Sequence, residues 1–591
     1  MYRLLIILFV SCAFNSCNSN SGTTTAADNK ALSDLYNTYY EERMQLFPFE
    51  ATIIGDNRYN DKFPADFTDS YREKLKTFFS KYITDISKYD REKLNENDKT
   101  SYGIFKYEMQ ESLYGLEFHD NYTPFNQFWA RPLDLGQMGS GDGYQPFKTV
   151  QDYDNWAKRA TAFSAWADSA IIYFKKGMAA NYVLPKSLVV KMIPQMESMI
   201  VTDAAKSLFY GPVTKMPATF SDADKQRLTA DYAKLINEQI VPAYKKLGTF
   251  LKNEYLPKAR ISSGIDSVPG GKDYYICMVK YWTTTGKTPD EIYNTGLSEV
   301  KRIRGLMDSV KNAVGFTGDL NAFFNYMRTG KKFFPFKTPQ EVLNAFYAIE
   351  KKEEPFLKTM FGRTPKSKFE IRQTEAFRAA SASAEYNQGA PDGSRPGIFY
   401  VPILDATKFN STSGMESLFL HEAIPGHHYQ NSLQMENDSL PKFRRFLWYG
   451  AYGEGWALYC ESLGKELGLY TDPYQYMGAL GDEIHRAIRL VVDVGIHTKG
   501  MTREEAIKYM MDNEAVSEDG ATAEIERYMA IPGQALSYKI GALKIRELRS
   551  KYQQQLGSKF SLANFHDEFL KDGCMPLDIV EKKMDAWAAK Q

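Results

Sequence analysis

Cysteine is scarce and scattered in this chain. Of five cysteines in 591 residues, Cys12 and Cys17 sit near the N-terminus, leaving Cys277, Cys460 and Cys574 for the body. An odd, widely spaced set is no disulfide framework, and the lack of any Cys-x-x-Cys pair argues against a cysteine zinc site or a redox motif. Cys460 reads as a small buried residue. Neither sign of charge is in excess, with 73 Lys plus Arg against 73 Asp plus Glu. Nothing therefore points to a nucleic-acid surface or to general adsorption on membranes. Beyond the N-terminal segment no apolar run is long enough to span a bilayer, and there are no repeats or low-complexity tracts. Histidine is sparse as well, at seven, which makes its distribution informative.

Three of those histidines fall in one eight-residue segment, HEAIPGHH, as His421, His427 and His428 beside Glu422. Such clustering points to a metal site. The preceding STSGMESLFL carries Met415, Leu418, Phe419 and Leu420 at helical spacing after a Ser/Thr/Gly stretch suited to a helix start, so His421 and Glu422 should project from a helix. In the zinc-peptidase helix HExxH, two imidazoles four residues apart bind one zinc while the intervening Glu handles the proton of the attacking water. Here the fourth residue after His421 is Pro425, which cannot ligate and cannot continue an unbroken helix. On an ideal helix His427 would be rotated about 120° from His421, and His428 would face the same side roughly 10 Å along the axis. A local distortion at Pro425-Gly426 is required, and one absorbing two residues returns His427 to the place of the second ligand. His427 is thus the expected ligand, with His428 as its rival.

A third ligand should come from another element, leaving a fourth position open. GEGWALYCESLGKEL offers Glu454 and Glu461, seven residues apart and so nearly on one helix face, among Trp456, Leu458, Tyr459 and Leu463. Carboxylates are rarely buried unless paired or metal-bound. Glu454 is the expected third ligand; Glu461 either orients a ligand histidine through its free ring nitrogen or pairs with a Lys or Arg.

At this point the chain resembles the bacterial DUF885 proteins, placed with the gluzincin-type zinc peptidases. The resemblance rests on AEYNQGAPDGSRPGIFYVP, LHEAIPGHHYQ, YGEGWALYCE, RAIRLVVDVGIH and ERYMAIPGQALSYKIG, spanning about Ala384 to Gly541, with FPFEATIIGDNRYND a looser match. It implies a mainly α, zincin-like peptidase with one Zn2+ per chain, a deep cleft between two helical halves, and a small β-sheet beside the metal helix. It also implies that Tyr538, in PGQALSYKIG, hydrogen-bonds the tetrahedral oxyanion, with His497 a weaker candidate for that task.

Other matched segments supply candidates for substrate binding. GIFYVPILD reads as a short strand, which as an edge strand would hold an extended peptide and present Tyr400 to it. DEIHRAIRLVVDVGIHTKG carries Arg486, Arg489 and His497 among apolar residues at helical spacing. Arg486 would either clamp a substrate carboxylate bidentately or pair with Asp482 or Asp493. Arg527 and Tyr528 are further candidates for substrate contact, as is His428 if it is not a ligand. In the expected mechanism zinc on His421, His427 and Glu454 acidifies a water, Glu422 takes its proton and passes it to the leaving amine, and Tyr538 stabilises the oxyanion.

MYRLLIILFVSCAFNSCNSNSG has one basic residue, an apolar run too short to span a membrane, and a cysteine followed by polar residues. It resembles a bacterial lipoprotein signal, with Cys17 the expected lipid acceptor and Cys12 an alternative. The expected organisation is a signal over 1–17, a flexible tether over 18–29, an N-terminal helical region over 30–265 and a catalytic region over 266–591. The internal boundary is placed in the turn-rich SSGIDSVPGGKDYY. These readings converge on an extracytoplasmic, lipid-anchored zinc peptidase acting on short peptides, a carboxypeptidase or an oligopeptidase. A lipid-anchored peptide or metal binder without turnover, and an amide hydrolase of non-peptide substrates, are the alternatives. Side-chain preference and oligomeric state leave no pattern in the sequence.

Overall fold

A computed structural model describes residues 29–374, 383–389, 395–412 and 414–591. Cys12, Cys17 and the signal and tether segments lie outside the described residues. The fold is mainly α with one small three-stranded sheet. Among the described residues no helix is long and apolar enough to cross a membrane.

The amphipathic runs form helices where their periodicity requires. ALSDLYNTYYEERMQL lies in Lys30–Leu46, capped by the Asn29 side chain. TPDEIYNTGLSEVKRIRGLMDSV lies in Pro289–Ala313, which opens with a Thr288/Glu291 capping box and proline in its first turn. The segment from Asp222 to Tyr255 runs on as α-helix interrupted by two five-residue π-helical stretches, Ile236–Ile240 and Leu251–Tyr255.

One hydrophobic core is built from residues between Phe49 and Tyr255, rich in Trp, Phe and Tyr. A second joins the first helices, through Leu32, Tyr36, Phe78 and Phe105, to residues from Val342 to Ala588, and so ties the N-terminal helices to the region that carries the histidines. A third packs the Pro289–Ala313 helix on the long helix Pro473–Thr498.

The sheet has strand order β1-β3-β2, with β1 (Phe369–Gln373) parallel and β2 (Glu385–Asn387) antiparallel to β3 (Gly397–Val401). GIFYV is therefore a strand, as its β-branched and aromatic residues require, but it is the middle strand. The expectation of an edge strand is corrected: both sides of β3 are occupied by the ladders to β1 and β2. Tyr400 lies opposite Arg372 in the register and its side chain meets that arginine.

The closest helix contact behind the site is between Gly450–Glu461 and Ser537–Leu556. A side chain at Gly541 would meet the Ala451 carbonyl oxygen at 2.0 Å, and one at Gly455 would meet the Gly541 Cα at 2.6 Å. Only glycine permits this approach, which sets Tyr538 beside the helix of Glu454.

Candidate metal centre

The helix carrying His421, Met415–Glu422, ends at Glu422, and a second helix, His427–Met435, begins five residues later. Between them the backbone leaves the helical region at Ala423 (φ −106°, ψ −111°) and Gly426 (φ −71°, ψ −123°). Gly426 passes so close to the first helix that a Cβ there would lie 2.0 Å from the His421 carbonyl oxygen. The distortion expected from Pro425-Gly426 is thus a complete break. Trp456 fastens it by donating its indole N–H to the Pro425 carbonyl at 2.9 Å.

The break brings His427 beside His421, their rings 4.9 Å apart and nearly perpendicular. Both Nε2 atoms lie 3.5 Å from Oε2 of Glu454. That separation is longer than a hydrogen bond, but donors in tetrahedral zinc sites with bonds of about 2.0–2.1 Å stand about 3.4 Å apart. One ligand atom from each of His421, His427 and Glu454 lies within 4.8 Å of the others. The residues present therefore fit a single zinc ion with three protein ligands. His421 and His427 are buried, and Glu454 is one-fifth exposed at its side chain.

Glu461 lies behind His421, with its Oε1 2.7 Å from Nδ1 of the ring. With a metal on Nε2, this bond would hold the ring in the orientation that ligates. Arg486 sits 3.9 Å from the same carboxylate oxygen and also bonds the main-chain carbonyl and carboxylate of Asp482; its fate is the pairing with Asp482. His427 Nδ1 is buried without a protein partner.

Burial alone would lower the His421 pKa, but Glu454 and Glu461, reinforced by Glu422, hold it at about 10. Burial raises the Glu454 carboxyl, and the two imidazoles more than reverse this, leaving it well below the usual carboxylate range. Glu454, Glu461 and Glu422 thus set three carboxyl groups around one buried imidazole. Glu422 behaves differently. Burial pushes its carboxyl above the ordinary value, Glu454 adds to the rise, and His421, His427 and the main-chain N–H of Tyr386 on β2 oppose it. A carboxyl raised in this way beside the cluster suits a group that accepts and returns a proton.

His428 faces the other way. Its Nδ1 is 3.0 Å from the Tyr386 hydroxyl and 3.4 Å from Ser432 Oγ, and burial lowers its pKa to about 4. It packs on the sheet, against Phe369, and the cluster takes His427.

Tyr538 lies within the field of Glu454. Burial and the Glu454 charge both raise its pKa, with Arg489 and Arg527 opposing, so it is a neutral phenol able to donate. The Arg489 guanidinium lies 4.6 Å from the centre of its ring and donates to the Tyr528 hydroxyl at 2.9 Å. Arg527 pairs with Glu524 at 3.2 Å, and Glu524 also takes Arg489 at 3.1 Å. Tyr528 is 1% exposed and its hydroxyl is committed to Arg489 and Glu524.

His497 is not brought to this site. The main-chain N–H of Ile265 bonds its Nδ1 at 3.0 Å, its Nε2 lies 3.1 Å from the Tyr528 carbonyl, and it is fully buried. Both ring nitrogens are taken by the backbone, which leaves none for an oxyanion; its catalytic reading is withdrawn. Residues the sequence did not single out are Tyr386, which contacts both Glu422 and His428, and Trp448, whose ring lies 5.9 Å from that of His427.

Fold and site together define a mainly helical protein with a cluster of two buried histidines and one partly exposed glutamate. Residues 48–584 match the family described as "Bacterial protein of unknown function (DUF885)", and the chain belongs to that family. No curated protein matches the chain. A crystal structure of a "putative lipoprotein" from Colwellia psychrerythraea is similar at a TM-score of 0.87 and 28% identity, covering 95% of this chain and 99% of that one. A second, so described and of unknown function, from Shewanella oneidensis, has a TM-score of 0.73 at 20% identity, covering 94% and 99%, and shows the shared fold.

Proposed function

We propose that the protein is a zinc-dependent peptidase acting on short peptides outside the cytoplasm. The observation that carries this reading is the pair of imidazole Nε2 atoms 3.5 Å from one Glu454 oxygen, with Glu422 beside them and Tyr538 close enough to feel the Glu454 charge. A structural zinc site closes its coordination with four protein ligands, whereas three ligands and an adjacent carboxylate suit hydrolysis.

Zinc held by His421, His427 and Glu454 would supply Lewis acidity and lower the pKa of water toward neutrality. Glu422, with its raised carboxyl, takes the proton of the attacking water and delivers it to the leaving amine. The Tyr538 phenol donates to the oxyanion that forms as the carbonyl is attacked. Glu461 holds His421 in place throughout.

The reading of Cys17 as a lipid-bearing residue is supported by the N-terminal sequence and by the lipoprotein description of the two similar structures. Labelling with a radioactive fatty acid should mark the wild type and be lost in Cys17→Ser.

The test of the peptidase reading is a mixed oligopeptide pool, read by mass spectrometry after incubation with the zinc-loaded wild type and with Glu422→Gln. The wild type should trim peptides and the variant should not. Equal cleavage by both, or none by the wild type, contradicts it.

A further inference from the structure

Beside the ligand set lies a cleft of about 390 Å³. It is lined by the segment Phe446 to Gly450 together with Tyr39, Ile53 and Trp282. The cleft and the metal centre share two elements. Trp448 lines the cleft and sets its ring 5.9 Å from that of His427. Gly450 lines it too and begins the helix that presents Glu454 one turn later. The ring of Trp448 lies over Gly453, where an added Cβ would meet it at 2.1 Å, so its place next to Glu454 is fixed by the missing side chain.

The lining is apolar and aromatic, and much of it faces solvent: Ile53, Tyr281, Phe446 and Trp448 are 40 to 52% exposed. Exposed aromatic residues concentrated in one concave place mark a binding site. The charged residues in the lining are already committed. Arg43 is held bidentately by Glu50 at 2.9 Å and touches the Tyr39 hydroxyl at 3.0 Å, and Glu108 accepts from the Tyr449 hydroxyl. The cleft offers no free charge to an ionic group. Its volume is at the lower end of the ~300–1,000 Å³ typical of ligand sites, enough for a bulky side chain and the backbone that bears it.

We infer that this cleft is the specificity pocket of the enzyme, receiving a large apolar or aromatic side chain of the residue flanking the cleaved bond on the side of His427 and Trp448. The inference rests on the peptidase reading above. Trp448 is the lining residue whose ring approaches His427, and Ile53 is a half-exposed lining residue.

Matched peptides carrying Phe or Ala at each position flanking the cleaved bond test this, with wild type, Trp448→Ala and Ile53→Trp. Ile53 is half exposed, so its substitution narrows the cleft without burying a larger side chain in the core. At one flanking position the wild type should prefer Phe over Ala by roughly 10- to 100-fold in kcat/KM. Both variants should bring that ratio toward one, where a purely structural defect lowers both rates alike. A wild-type ratio below about twofold, or a ratio unchanged in both variants, overturns the inference. If the wild type cleaves no peptide, the peptidase reading fails separately, and the cleft is judged by binding of the same peptides, followed by tryptophan fluorescence. Tighter binding of the Phe peptide that is lost in Ile53→Trp upholds an aromatic-binding cleft; equal binding of the two peptides overturns it.

Discussion

Removing the carboxylate behind His421 should weaken zinc binding in two graded steps. Glu461 and His421 are each about 5% exposed at the side chain and meet at 2.7 Å. The second Glu461 oxygen, Oε2, is buried without a partner. In Glu461→Gln the amide oxygen can still accept from the ring, so His421 keeps its tautomer but loses the adjacent charge. The amide nitrogen then takes the partnerless Oε2 position. In Glu461→Ala the acceptor is gone as well, and the imidazole is free to turn. Hydrogen-bond partners of ligand histidines are worth roughly 10- to 100-fold in metal affinity, so the Gln variant should lie near the lower figure and the Ala variant near the upper. These losses correspond to about 1.4 and 2.8 kcal/mol. The assay is competition against a chromophoric zinc chelator at pH 7, with folding followed by circular dichroism. Affinities of both variants within twofold of wild type would refute the reasoning, because Glu461 would then not orient the ligand.

Gly426→Ala should abolish zinc binding while leaving most helices intact, since a Cβ there meets the Leu420 and His421 carbonyls at 2.3 and 2.0 Å and forces His427 away; zinc content and far-ultraviolet dichroism read the two effects. Tyr538→Phe should lower kcat by roughly 100- to 1,000-fold with zinc content unchanged, as expected on loss of one oxyanion donor. Stability should fall on acidification. Burial lowers the pKa of His428 to about 4 and of His497 and His566 to about 3, so these rings stay neutral in the folded chain while unfolded histidines protonate below about 6.5. The unfolded state therefore binds more protons as pH drops from about 6.5 toward 3 or 4. Each histidine then costs about 1.4 kcal/mol of stability per pH unit across that window. Thermal melts between pH 7 and 4.5 should show a steepening fall in Tm, and a flat profile would contradict the assignment.

The parts of the site legible in the sequence were those that depend on short spacing. HEAIPGHH showed that a helix must break at Pro425-Gly426, and the seven-residue interval between Glu454 and Glu461 put both carboxylates on one face, where the structure sets them on the two nitrogens of His421. What failed were inferences over longer distances along regular elements. His497 lies on the same helix as Arg489, but eight residues carry it about 12 Å along the axis, into the core against Ile265 and Tyr528. Arg486 and Arg489 are three residues apart, yet the first turns to Asp482 and Glu461 behind the site while the second stacks on Tyr538. That choice is made by tertiary partners no local pattern encodes. GIFYV was readable as a strand from its composition, but its central position was not. Its neighbours are a charged five-residue strand, FEIRQ, and a three-residue one, EYN, which carry too little alternation to be recognised. Likewise nothing local ties Leu32 and Phe105 to a core completed some three hundred residues later.

The central claim is that the break in the histidine helix selects His427, not His428, to complete one zinc site with His421 and Glu454. Zinc per chain, measured by plasma mass spectrometry on purified wild type, His427→Ala and His428→Ala, tests it most directly. The account predicts about one zinc in the wild type and in His428→Ala, and almost none in His427→Ala. Zinc kept by His427→Ala and lost from His428→Ala, or absent from the wild type after loading, would contradict it.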